Sequence, residues 1–126
     1  MKPAKWLIAG MIVEALLLAF GAPADTAQVA KGKELFERRC SGCHASDIDK
    51  EGPRLRGVYR RKSASVSGFP YSDSLKKLNR KWDDANLDQW LSDPDAMAPD
   101  SDMSFKLNSS EERKAVIAYL KTLDSK

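Results

Sequence analysis

The sequence predicts an all-α domain, and three observations predict it. Capped, amphipathic helix patterns stand near residue 25 and after residue 109. No stretch of any length alternates apolar and polar residues as a strand would, and no internal repeat is present. The segments between the helices are loops too long to be idle in a compact domain.

Residues 1–24 read as a leader rather than as part of the folded unit. Lys2 and Lys5 make a basic start, Trp6 to Ala22 is mostly apolar, and Ala22-Pro23-Ala24 has the small-x-small form of a signal-peptidase site. Cleavage there leaves Asp25 as the new N-terminus and a domain over 25–126. The apolar run is short of the ~20 residues that a membrane span needs. It also holds Glu14, which is costly at a bilayer centre and equally unusual inside a signal peptide. The expectation is an exported, periplasmic protein without a membrane span if the leader is cut, and an anchored one if it is kept.

Asp25 and Thr26 can cap a first helix running to about Arg39, with Gly32, Leu35 and Phe36 on one face. Residues 41–74 are rich in Gly, Ser, Pro and charge and read as extended loop. Ser72 can cap a short helix with Leu75 and Leu78 inward. Asp84 can cap another, with Leu87, Trp90 and Leu91 at i, i+3, i+4 and Pro94 as the stop. Residues 95–108 read as loop. Ser109-x-x-Glu112 is a capping box, and Val116, Tyr119, Leu120 and Leu123 mark the buried stripe of a last helix.

The chain of 126 residues carries a net charge of +3. Without Lys2, Lys5 and Glu14 it has 19 basic and 17 acidic side chains, a net +2, too balanced to argue for nucleic acid. A domain of about a hundred residues buries a modest core and often needs a staple. The two cysteines, Cys40 and Cys43, would close too small a loop for a disulfide to serve as one. Zinc would lack a fourth ligand of the usual kind, since His44 is the one histidine.

Cys40-Ser41-Gly42-Cys43-His44 is the c-type haem attachment pattern. Each thiol adds to one vinyl group, and the vinyls sit on neighbouring pyrroles. Cysteines three apart lie on one side of a helical turn, so both reach. The next residue then meets the iron, and an imidazole there is a good proximal ligand. A thioredoxin-like reading would need a strand before the motif and a βαβ context, and neither is present. For the sixth iron position the domain offers two methionines, Met97 and Met103, and a thioether raises the potential. Met103 lies in a late loop that can fold back over a haem.

The segments GKELFERRCSGCH, EGPRLRGVYRR, GFPYSDSL, KW, LDQWLSDP, PDSDMSF and ERKAVIAYLKTL carry a resemblance to the class I cytochrome c family, from about Gly32 to Leu123. It resembles mitochondrial cytochrome c and the bacterial cytochromes c2. The resemblance implies N- and C-terminal helices packed together, with short helices and loops wrapping one covalent haem c. It makes Met103 the axial ligand, four residues after Pro99 and two before Phe105. By the same resemblance the Pro53 carbonyl accepts the N–H of His44, and Leu55, Leu91 and Phe105 line the haem pocket. Tyr71, Trp82 and Ser101 match positions that hydrogen-bond a haem propionate, and Arg61 matches an arginine near the same carboxylates. Gly32 and Phe36 match positions that meet the last helix near Tyr119.

The chain also departs from the family. Trp90 replaces the tyrosine on the methionine side of the haem, and an indole N–H donates but cannot accept, which leaves the bond to the methionine sulfur open. Leu75 falls where the family often has a buried asparagine. Asp93, Asp95, Asp100 and Asp102 stand on the methionine-side loop where the family has lysines.

The function implied is that of a monomeric single-haem electron carrier, not an enzyme. Its partners are redox proteins that the sequence does not name. A tethered cytochrome module shares this chemistry. A haem peroxidase would need a distal acid–base residue that the expected pocket of Trp90, Leu91 and Phe105 does not supply.

Overall fold

The computed structural model describes residues 2, 3 and 24–124 of the chain. The leader expected over residues 1–24 lies outside the described residues, apart from residues 2 and 3 and the Ala24 that begins the first helix. Among the described residues no helix is long and apolar enough to cross a membrane.

Helix α1 spans Ala24–Arg39 and α5 spans Ser110–Lys121. Their crossing is close because of Gly32. A Cβ there would fall on the Ala115 carbonyl of α5 and 3.0 Å from the Cβ of Tyr119. Phe36 and Tyr119 pack beside this point with ring centroids 5.3 Å apart. The side chain of Ser109 accepts the Glu112 N–H at 3.3 Å, as the capping box predicts. The Glu112 carboxylate turns to Arg39 at 3.7 Å and so ties the start of α5 to the end of α1.

Between them lie α2, Asp73–Leu78, α3, Asp84–Ser92, and α4, Pro94–Met97. Ser72 caps α2, as expected, and Asn79 ends it in the left-handed region at φ 49°, where asparagine is tolerated. Leu75 and Leu78 are half-buried rather than buried. The cap of α3 is Asp83, not Asp84: the Asp83 carboxylate accepts the Asn86 N–H at 2.8 Å. Asp84 is already helical and pairs instead with Lys121 of α5 at 2.8 Å. Pro94 does more than stop α3. Its missing N–H suits the first turn of a helix, so α4 begins there, inside the stretch expected to be loop.

Leu87, Trp90 and Leu91 of α3 and Val116, Ile117 and Leu120 of α5 form the core with Leu35, Phe36 and Leu123. The long loop from Ser41 to Ser72 is organised by backbone pairing. Residues 60–63 run against 80–82: Arg60 N–H donates to Trp82 O at 2.6 Å, Trp82 N–H to Arg61 O at 2.9 Å and Ser63 N–H to Arg80 O at 2.7 Å. Lys62 and Lys81 form an isolated antiparallel bridge there, the element that the sequence pattern did not announce. Bidentate Arg54–Asp49 and Arg56–Asp47 pairs brace the preceding turn.

Candidate functional site

The attachment motif continues α1 as one more turn. Cys43 N–H and His44 N–H both donate to the Cys40 carbonyl, at 3.1 and 2.9 Å. This turn brings both thiols and the imidazole to the wall of one cavity of about 430 Å³. The two cysteines are not joined by a disulfide. Burial raises the pKa of Cys40, and the hydrogen bond that Cys43 donates to the Glu51 carboxylate at 3.2 Å raises that of Cys43.

His44 is positioned by the segment that follows. Its Nδ1 sits 3.0 Å from the Pro53 carbonyl, the partner expected of that proline. That contact assigns the proton to Nδ1 and leaves Nε2 with its lone pair. Burial holds the imidazole pKa below its ordinary value, so the ring is in the neutral form a metal requires. Gly52 lies directly behind the ring: any Cβ would overlap the imidazole. Gly52 N–H donates to the Cys43 carbonyl at 2.8 Å, which clasps the motif to this turn.

Elsewhere on the wall, Trp90 Nε1–H donates to Met103 Sδ at 3.2 Å. The indole keeps this hydrogen bond although it could not accept one. Trp90 is buried and stacks at a tilt on Trp82, with centroids 5.4 Å apart. Ser101 Oγ donates to the Met103 carbonyl at 3.3 Å and holds the loop. The Tyr71 hydroxyl accepts the Val66 N–H at 3.0 Å. Leu55 and Phe105 add apolar wall, with the Arg39 guanidinium 5.3 Å above the Phe105 ring.

Arg61 tests whether this cavity fits a haem. Its terminal nitrogens donate to the Arg56 and Arg54 carbonyls at 3.2 and 3.1 Å. Its Nε is buried with no partner. A buried N–H left unsatisfied costs about 1–3 kcal/mol, and an acceptor in the cavity would relieve that cost. A haem carboxylate is such an acceptor. Two thiols, one neutral imidazole, one thioether and one free guanidinium N–H therefore suit haem c.

Cys40, Cys43, His44, Pro53, Leu55, Arg61, Tyr71, Trp82, Trp90, Ser101, Met103 and Phe105 all line this one cavity. Leu91 does not. It points from α3 into the core, and its carbonyl takes the Leu107 N–H at 2.8 Å. Met97 packs against the core and is absent from the wall. Sequence reasoning missed Gly52, Val58, Phe69 and the acids Glu51 and Asp102, which also line the cavity. The EGP run held a usable signal for Gly52: a glycine before the proline that meets His44.

The sequence matches the Cytochrome c family over residues 29–124. It is 38% identical over 96 residues to cytochrome c of Euglena viridis, an alignment covering 74% of this chain and 94% of that protein. It is 42% identical over 87 residues to cytochrome c2 iso-2 of Magnetospirillum molischianum, covering 67% and 90%. Among solved structures it is similar to cytochrome cH from Methylobacterium extorquens, with a TM-score of 0.71 and 36% identity over 75% of this chain and 97% of that one. With its attachment motif, its cavity and these relatives, the chain belongs to the cytochrome c family and is a single-haem electron carrier with covalently bound haem c.

Proposed function

We propose that this carrier binds its iron between His44 and Met103, is exported by cleavage of residues 1–24, and exchanges single electrons with protein partners without catalysing a reaction of its own. The observation that carries the ligand assignment is the placement of the two methionines. Met103 lines the cavity and Met97 does not. When bound, the haem supplies the Fe(III)/Fe(II) couple.

The chain's own residues then have distinct tasks. Cys40 and Cys43 provide the two thioether links. Pro53 holds the His44 tautomer, and Gly52 leaves room for the ring. Trp90 orients the Met103 sulfur. Arg61 Nε, with Tyr71, Trp82 and Ser101, would hold the haem carboxylates, and Leu55 and Phe105 would keep water from the iron. With His44 and Met103 as its ligands a bound haem would have no open iron position for substrate, and the site would favour outer-sphere electron transfer over substrate turnover. The leader pattern supports the exported location.

Intact mass and a haemochrome assay should give one haem per chain and an N-terminus at Asp25. A mass that retains residues 1–24 would replace export by cleavage with anchoring. Met103→Ala should abolish the sulfur-to-iron charge-transfer band and admit small ligands, while Met97→Ala should keep the band. The reverse pattern would move the ligand to Met97.

A further inference from the structure

The segments 60–62 and 80–82 pair along one side of the haem cavity. Arg61 and Trp82 face inward and line the cavity. Arg60, Lys62, Arg80 and Lys81 face solvent, and Lys76 and Lys77 of α2 lie just before them. Among the described residues none of these six cations forms an ion pair within 4 Å; Arg60 rests over the Tyr59 ring. The carboxylates that follow are already engaged. Asp83 caps α3, and Asp84 pairs with Lys121 and is a partial counter-charge to Arg60 as well. Asp73, one turn earlier on α2, is a partial counter-charge.

From this juxtaposition we infer a second electron-transfer face, separate from the mouth beside Met103: the Arg60–Lys62 and Arg80–Lys81 wall docks a redox protein with an acidic surface. The inference rests on the electron-carrier reading. Unpaired like charges packed together repel one another, so an opposing acidic surface gains more here than at a neutralised patch. Arg61 and Trp82, which alternate with these cations along the chain, line the cavity, so a partner on this wall would lie near the edge where Arg61 Nε would meet a haem carboxylate. An acidic partner here and a different one at the Met103 mouth would not compete for one surface.

The reduced holoprotein is mixed with hexacyanoferrate(III) in a stopped-flow instrument. One electron passes from Fe(II) to the anion, giving Fe(III) and hexacyanoferrate(II), and no proton moves. Lys62→Glu with Lys81→Glu should slow this reaction about fivefold at low salt, with the difference closing above 0.5 M as the Debye length falls to about 3 Å. Lys76→Glu with Lys77→Glu should slow it in the same direction. A control of equal charge change, Lys31→Glu with Lys114→Glu, should have a clearly smaller effect. Deca-aspartate added to the labelled holoprotein should shift amide resonances of residues 60–62 and 76–82. Equal slowing by control and wall variants overturns the proposal, as do shifts centred elsewhere. So does binding to phosphatidylglycerol vesicles without binding to deca-aspartate. If the parent protein fails to react with this anion and also with a cationic oxidant, the electron-carrier reading falls with it. Reaction that ignores the wall charges removes the face alone.

Discussion

The Trp90 indole N–H donates to the Met103 sulfur at 3.2 Å on the wall of the haem cavity, with the Trp82 ring packed against Trp90. A thioether sulfur has two lone pairs. If Met103 ligates the iron as proposed, one lone pair would go to the metal and the other would accept this N–H, making the sulfur a poorer donor. A poorer donor favours Fe(II), so the bond would raise the potential. A phenol in this place could lose its proton in alkali, whereas an indole keeps its donor throughout the accessible range.

Trp90→Phe removes the donor and keeps an aromatic wall. A hydrogen bond contributes about 0.5–1.5 kcal/mol, and about 1.4 kcal/mol equals 59 mV for one electron; only the part of the bond that differs between Fe(II) and Fe(III) counts, so the potential should fall by at most roughly 20–60 mV. Voltammetry of the holoprotein measures it. An unchanged potential would mean that the bond does not persist once iron holds the sulfur.

How much of this was legible in the sequence depends on range. The attachment motif, the Ser72 and Ser109 caps and the stripe of α5 are local patterns and appear where the sequence puts them. The Asp83 cap differs by one residue from the Asp84 expected because both carboxylates are equally good hydrogen-bond acceptors. Only the tertiary pairing of Asp84 with Lys121 separates them. Residues 95–97, helical here, fall in the stretch 95–108 that reads as loop because Pro94 reads as a stop, although a proline also suits a first turn. The cavity wall was legible only through family resemblance. Which residues of a long loop face inward depends on the 60–63 and 80–82 pairing, and neither segment has strand-like alternation. Leu91 was misplaced for the same reason: helical spacing shows that it is inward, not which interior it meets.

Gly32→Ala tests the α1–α5 crossing. Alanine improves helix propensity by about 1 kcal/mol. Here its Cβ would fall on the backbone carbonyl of Ala115, which cannot rotate away. Overpacking of this kind costs about 1–3 kcal/mol, and a backbone neighbour puts the cost at the upper end. The variant should be less stable than the parent in denaturant unfolding. Equal or greater stability would show that α1 and α5 can slide apart freely.

The Asp84–Lys121 pair gives a pH window. The hydrogen bond with Lys121 lowers the Asp84 pKa below 3.8, and the same contact raises the Lys121 pKa above 10.5. Stabilisation from Asp84 is therefore complete above its unfolded value of about 4 and fades as pH falls through the lower folded value. Stabilisation from Lys121 is complete below about 10.4 and fades as pH rises through the raised folded value. Both groups are largely exposed, so solvent screening keeps the pair within about 0.2–1 kcal/mol. Asp84→Asn should lose that amount at pH 7 and converge with the parent in strong acid. A difference that persists there would assign the effect to α3 capping rather than to charge.

The methionine-side loop carries acids that nothing nearby neutralises. Asp93 pairs with Lys106 at 3.2 Å, but Asp95, Asp100 and Asp102 are exposed, and among the described residues they have no ion pair. Asp102 lines the cavity beside Met103. Of the cations near the attachment motif, Arg39 pairs with Glu112, while Lys50 donates to the neutral Ser41 carbonyl at 2.6 Å and keeps its charge. The three unpaired carboxylates make the loop itself locally negative although the chain as a whole is positive. A cationic oxidant such as tris(phenanthroline)cobalt(III) should accumulate there and react quickly at low salt. Asp95→Lys with Asp102→Lys should slow it about fivefold, and the gap should shrink with salt because the Debye length is about 10 Å at 0.1 M. Glu111→Lys with Asp124→Lys changes net charge equally but away from the loop, and should slow it less. The same Asp95 and Asp102 reversals should speed transfer to a partner whose docking surface is acidic, such as a mitochondrial-type oxidase. If the remote pair slows the cation as much as the loop pair does, net charge alone governs encounter and these aspartates do not select the partner.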